Sequence, residues 1–131
     1  MTRKKVFISF DGDNDLHYKD LLVAWDQNAE FNFYVYNGPP MEAIDSIQAA
    51  EIKALIRPKI AAVTHFLCIV GKESSRNPWT EWEINRASAQ KKKLIAVKIE
   101  KDYETPPALN QDVVWAASFD FNAIKAALEA A

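Results

Sequence analysis

This sequence predicts an α/β fold: an open, five-stranded parallel sheet of order 2-1-3-4-5 with helices on both faces, over a single domain of residues 1–131. Three observations carry the prediction. Short β-branched and aromatic runs alternate with longer amphipathic ones in the pattern β-α-β-α-β-α-β-loop-β-α, which an open parallel sheet satisfies. The first run, Val6-Phe7-Ile8-Ser9-Phe10, is apolar on both sides, as a central strand must be. Right-handed crossovers between five such strands favour that order, with its reversal between strands 1 and 3.

Taken in order, residues 6–10 leave no room for a helix before the polar break Asp11-Gly12-Asp13. Asp13 or Asn14 is expected to cap a helix running to about Asn28, with Leu16, Leu22, Val23 and Trp25 as its apolar stripe. Residues 31–36 read as strand 2. Asn37-Gly38-Pro39-Pro40 suits neither element, so a loop is expected over 37–47. Residues 49–60 read as a helix with Ile52, Leu55 and Ile56 on one face, and Pro58 is expected to kink or end its last turn. Residues 64–70 form strand 3, stopped by Gly71. A third helix starts at Asn77-Pro78 and fades into Lys91-Lys92-Lys93. Residues 94–99 are strand 4, Thr105-Pro106-Pro107 a rigid turn, and 113–115 a short fifth strand. Residues 122–129 are a final Ala-rich helix.

Composition narrows the function. A net charge of −2 argues against a general nucleic-acid surface, and the lysine run reads as a solvated helix end. The single Cys68 allows no internal disulfide and sits in an apolar run, where a thiol is buried and inert. One cysteine and two histidines give no zinc spacing, and no metal or cofactor is expected. No apolar stretch approaches the ~20 residues of a membrane span, and a soluble, cytoplasmic protein is expected.

The stretch Asn77-Pro78-Trp79-Thr80-Glu81-Trp82-Glu83 is the most informative. Pro78 fits the first helical position and Asn77 the cap before it. At about 100° per residue, Trp79 and Glu83 share one helix face and Glu81 points nearly opposite. Core packing beside a solvated acid would explain this spacing as well as a site would. Strand order separates the two, because ligands in such sheets bind beyond the carboxyl ends of the strands where the order reverses. The segments leaving strands 1 and 3 there are Ser9 to Asn14 and Gly71 to Pro78.

Other chemistries fit poorly. Asp11, Asp13 and Asp15 have calcium-loop spacing, but Leu16 and Leu22 stand where an EF-hand needs Gly and Glu. A phosphoacceptor receiver needs an Asp closing strand 3 and a Lys closing strand 5, where Val70-Gly71 and Trp115-Ala116 stand. The chain is short for a haloacid-dehalogenase-like phosphatase and lacks its further motifs. Three glycines make no phosphate loop, and His17 and His65 read as ordinary exposed or core histidines. A carboxylate beside an aromatic wall suits the cleavage of a glycosidic bond, where an ionised acid stabilises an oxocarbenium-like transition state. It also suits ribose hydroxyls, while the ring suits a cationic base such as the nicotinamide of NAD+. Glu83, in the first turns of a helix, is expected to stay ionised.

The chain resembles a TIR domain. Lys5-Val6-Phe7-Ile8-Ser9-Phe10-Asp11 is similar to the first TIR box, Tyr36-Asn37-Gly38-Pro39-Pro40 to the BB loop, and Trp79-x-x-x-Glu83-Ile84 to the W-x-x-x-E-[IL] of catalytic members. With Leu21-Leu22-Val23-Ala24-Trp25-Asp26, Ile56-x-Pro58-Lys59-Ile60, Phe66-Leu67-Cys68 and Ala96-Val97-Lys98-Ile99, it resembles most the ThsB group of Thoeris anti-phage defence. The resemblance implies a three-layer, flavodoxin-like fold and cleavage of NAD+ at the nicotinamide–ribose bond. It further implies release of a cyclic ADP-ribose isomer that activates a separate effector protein. It assigns catalysis to Glu83, ring stacking to Trp79, and nucleotide contacts to Ser9, Phe10, Asp11 and Asn37. The compact segment 71–78 implies that a second copy helps close the site. An interaction module acting through the 37–47 loop, with Glu83 a solvated acid, is the alternative.

Overall fold

The computed structural model describes residues 3–12, 14–35 and 43–131. It contains β1 (Lys4–Ser9), α1 (Leu16–Trp25), β2 (Phe31–Tyr34), α2 (Ile47–Ala61), β3 (His65–Val70), α3 (Pro78–Ala89), β4 (Lys93–Lys98), β5 (Val114–Trp115) and α4 (Phe121–Ala130). Short 3-10 turns at Ser74–Arg76 and Pro107–Leu109 precede α3 and β5. The strands form one parallel sheet of order β2-β1-β3-β4-β5, as the sequence predicts.

Strand periodicity of two divides the apolar residues between the faces. Phe7, Phe66, Cys68, Val70, Leu94 and Ala96 face a layer made by Ile52, Ile56 and Ile60 of α2 and Trp79, Ile84 and Ala87 of α3. Val6, Ile8, Leu67, Ile69, Ile95 and Val97 face Leu22 of α1 and Ile124, Ala127 and Leu128 of α4. Phe7 and Phe66 are register partners and stack at 5.7 Å, joining β1 to β3 beneath the crevice. Because both faces are covered, β3 is buried at every position.

Three elements depart from expectation. α1 ends at Trp25 rather than near Asn28, because the Asp26 carboxylate accepts the Glu30 and Phe31 amides (2.7 and 2.9 Å) and Ala29 turns left-handed at φ 49°. Of its expected stripe only Leu22 is buried, while Leu16 and Val23 remain exposed. α2 begins at Ile47, two residues early, with the Ser46 hydroxyl accepting from the Ala49 amide. Pro58 does not end α2, which runs on to Ala61 with the Ala62 amide bonded to the Pro58 carbonyl. The lysine run straddles two elements: Lys91 turns left-handed (φ 59°) and Lys93 opens β4. Part of the expected 37–47 loop, through Glu42, lies outside the described residues.

Candidate active site

The strand order reverses between β1 and β3, and the residues leaving these strands meet the first turn of α3 there. Asn77 caps that helix, its Oδ1 accepting from the Trp79 and Thr80 amides (2.9 and 3.4 Å), and Pro78 fills the first helical position. This cap fixes where Trp79 and Glu83 project.

Glu83 is only 4 % exposed, and the Ser9 hydroxyl donates to its Oε1 at 2.7 Å. Ser9 follows Phe7 on the α3 face of β1, so alternation along the strand delivers the hydroxyl to the carboxyl. Burial pushes Glu83 up to about 8, and the Ser9 hydrogen bond pulls only partly against it. The expectation of an ionised Glu83 is therefore corrected. Loss of water costs the charged form more than the Ser9 hydrogen bond returns, which favours the protonated carboxyl in the unliganded protein.

The other expected residues divide. Asp11 is buried and its carboxylate accepts from Asn14 Nδ2 at 2.7 Å. Trp79 lies in the core of the α2–α3 face, its ring edge-on to Trp82 at 5.9 Å. Phe10 packs with the opposite layer, beneath Lys19, and is not brought to Glu83. Asn37 lies outside the described residues. Glu81 points away from Glu83, as its spacing predicts, and accepts the Ala108 amide at 2.9 Å, tying α3 to the turn before β5. His65 opens β3 at the far end of the strand, and burial with Lys4 and Lys93 lowers it to about 4, a neutral core histidine. Cys68 is fully buried, and burial with Glu83 and Asp15 pushes its thiol far up.

Sequence reasoning gave Asp15 no role beyond a place in an acidic run. It is 4 % exposed, and burial and the Asp11 carboxylate raise it to about 6. A buried acid in a loop leaves no periodic signal, and only the glycine at position 71 hints at a close approach. A further cleft of about 620 Å³, lined by Lys98, Thr105, Pro106, Leu109, Asn110 and Trp115, opens at the carboxyl ends of β4 and β5. Among the described residues no group of acids, histidines and cysteines could hold a metal ion, and no helix is long and apolar enough to cross a membrane.

Fold and site define a class: doubly wound α/β domains in which a helix after β3 carries a buried carboxyl to the strand-order reversal. Residues 7–104 match the family described as the TIR-like domain of Thoeris protein ThsB. The chain belongs to that family. No curated protein sequence matches it. Among solved structures it is similar to a 2-deoxyribosyltransferase from Bacillus psychrosaccharolyticus (TM-score 0.64, 11% identity, covering 92% of this chain and 95% of that one). The 2-deoxyribosyltransferase from Leishmania mexicana gives a TM-score of 0.61 at 16% identity, covering 94% of this chain and 95% of that one. A conserved protein from Enterococcus faecalis V583 gives 0.61 at 14% identity, covering 79% of this chain and 69% of that one. At such identities the likeness is one of fold.

Proposed function

We propose that this domain cleaves NAD+ at the nicotinamide–ribose bond and converts the rest into a cyclic ADP-ribose isomer, a messenger that activates a separate defence effector. The observation that carries the reading is the buried Ser9–Glu83 hydrogen bond at the strand-order reversal. A carboxyl kept from water there suits a reaction that develops positive charge on a sugar. The alternative, an interaction module working through residues 37–47, expects a solvated Glu83, and the burial of that residue favours the enzyme.

The chemistry follows from the proton on Glu83. The pyridinium of NAD+ brings a positive charge to the crevice, and in a low-dielectric site this favours the carboxylate and expels the proton. The bond from the anomeric carbon to the pyridinium nitrogen then breaks. Its electron pair goes to the nitrogen, and nicotinamide leaves neutral without needing an acid. The carboxylate, oriented by Ser9, stabilises the ribosyl oxocarbenium ion until an atom of the adenosine end, or water, bonds to the same carbon. Any proton lost by the nucleophile goes to Glu83 or solvent. On this reading Trp79, buried in the α2–α3 core one helical turn away, backs the carboxyl from the helix side, and Asp11 lines the nucleotide side.

Two of the structures sharing this fold are 2-deoxyribosyltransferases, so the fold accommodates sugar-transfer chemistry in those proteins. The reading places the protein in the cytoplasm, where NAD+ and phage meet, and gives a second copy the task of closing the short 71–78 segment over substrate. It is tested by incubating purified protein with NAD+, alone and with extract of infected cells, and following nicotinamide by mass spectrometry. Release by wild type, reduced about 100-fold or more in Glu83→Gln, is expected for loss of a charge-stabilising group. Equal behaviour of the two proteins under every condition would overturn the reading.

A further inference from the structure

We propose that Asp15 is the sugar-reading acceptor of this crevice, its buried carboxylate taking a hydrogen bond from a hydroxyl of the ribose held against Glu83, so that the site selects ribonucleotides over their deoxy forms. The inference rests on the NAD+ reading of the same site and adds a residue and a substrate preference to it.

Asp15 occupies the N-cap position of α1, where an aspartate ordinarily accepts the amides of the first turn. It makes no such bond. The side chain is instead folded inward, 4 % exposed, and its Oδ2 has no hydrogen-bond partner among the described residues. A buried acceptor that forgoes both its cap and water calls for an explanation.

Its neighbour supplies one. A Cβ at Gly71, the first residue beyond β3, would lie 1.9 Å from Asp15 Oδ2 and 2.5 Å from Oδ1 and Cγ. The carboxylate therefore rests directly on the backbone that floors the crevice, and only glycine leaves it that place. Asp15 lies at the same end of the sheet as Glu83: its amide donates to the Asp11 carbonyl (2.7 Å) just beyond Ser9, the donor to Glu83, and Ser9 is the register partner of Cys68 on β3, the strand that ends at Gly71. Beside Asp15 stand Asp11 and Asn14 of its own loop and Gly71 at the end of β3.

This surrounding selects the ligand chemistry. Two carboxylates, Asp11 and Asp15, disfavour a phosphate directly beside them, and among the described residues the acids here form no metal-holding group. An ionised carboxylate only accepts, so it needs a neutral donor, which a sugar hydroxyl provides. Glu83 takes the developing positive charge and Asp15 holds the ring in place. A site built to bond a hydroxyl discriminates strongly against an analogue that lacks it, because the acceptor is then left unpaired.

The test is calorimetric binding of ADP-ribose, and of forms lacking either hydroxyl of its terminal ribose, to wild type and Asp15→Asn. Wild type is expected to bind ADP-ribose at least about tenfold more tightly than one deoxy form, and Asp15→Asn to lose that preference while keeping its circular-dichroism spectrum. Equal binding of all ligands by wild type, independent effects of the substitution and the missing hydroxyl, or no binding of ADP-ribose at all would overturn the proposal. If Asp15→Asn does not fold, Asp15→Ala is read in its place, because a preference for ribose in wild type alone could come from Glu83. Nicotinamide release separates the two readings. A protein that prefers ribose yet never cleaves NAD+ sinks the proposed reaction, whereas one that cleaves without preference sinks the role of Asp15.

Discussion

Burying Glu83 makes its proton part of the fold. Its ordinary value of 4.5 rises to about 8 in the native protein, so between these values the folded chain holds a proton that the unfolded chain has lost. Stability contributed by this group is therefore fully present below pH 4.5 and declines as pH rises to 8. Glu83→Gln keeps the acceptor for Ser9 and cannot ionise. Its urea-denaturation free energy should match wild type near pH 4 and exceed it by on the order of a few kcal/mol at pH 8. A gap that does not change with pH would refute the buried proton. On the proposed reaction NAD+ cleavage should run the other way, since the unliganded protein must surrender that proton: kcat/KM should climb about tenfold per pH unit and level off near 8. Spacing put Glu83 on the face of Trp79 and Glu81 nearly opposite, strand order put that stretch at the crevice, and the likeness to catalytic TIR domains made the choice of Glu83. They could not give its protonation state, because that is set by Ser9, Trp79 and the sheet, which lie far apart or pack only in three dimensions.

At the scale of elements, α3 does most to define the site, and its beginning is the point where sequence and structure agree best. Asn77, Pro78 and the Trp79–Glu83 spacing form a local code, and the Asn77 side chain takes up two of the orphan amides as that code requires. Asn77→Ala should cost about 1 kcal/mol in urea denaturation, with Asn77→Ser recovering most of it. If the proposed NAD+ cleavage is the activity, it should fall in the alanine variant by more than this loss of stability explains, because fraying of the first turn moves Glu83 relative to Ser9. Activity that merely tracks the folded fraction would contradict the argument. α1 was harder to read for a complementary reason. Its apolar periodicity runs past Trp25, but the Asp26 side chain captures the next amides and ends the helix, while Asp15 declines to cap its start. Both ends are decided by where an aspartate side chain turns, which periodicity does not record. In α2, Pro58 sits so near the carboxyl end that apolar contacts of Ile56 and Ile60 carry the helix through it.

For the whole molecule, the alternation of strands and helices together with right-handed crossovers sufficed to fix strand order, and hence the position of the crevice. What it leaves open is how tightly the two cores grip the central strand. β3 is bonded to β1 and β4 and buried throughout, and Cys68 stands at its middle with no exposed surface. No loop motion can reach that thiol: the α2–α3 layer that covers it must lift from the sheet, which unmakes that core. Its reaction with a thiol reagent should therefore report opening of the whole sheet rather than local fraying. With a domain stability of roughly 5 kcal/mol or more, labelling in native buffer should be at least about a thousandfold slower than in urea. The dependence of the rate on urea should match the global unfolding slope. A ligand that binds only the folded crevice shifts the same equilibrium, so ADP-ribose at 100 times its Kd should slow labelling a further ~100-fold. Fast labelling, or a rate that ignores both urea and ligand, would mean that β3 opens on its own and that the floor of the crevice is less rigid than its packing implies.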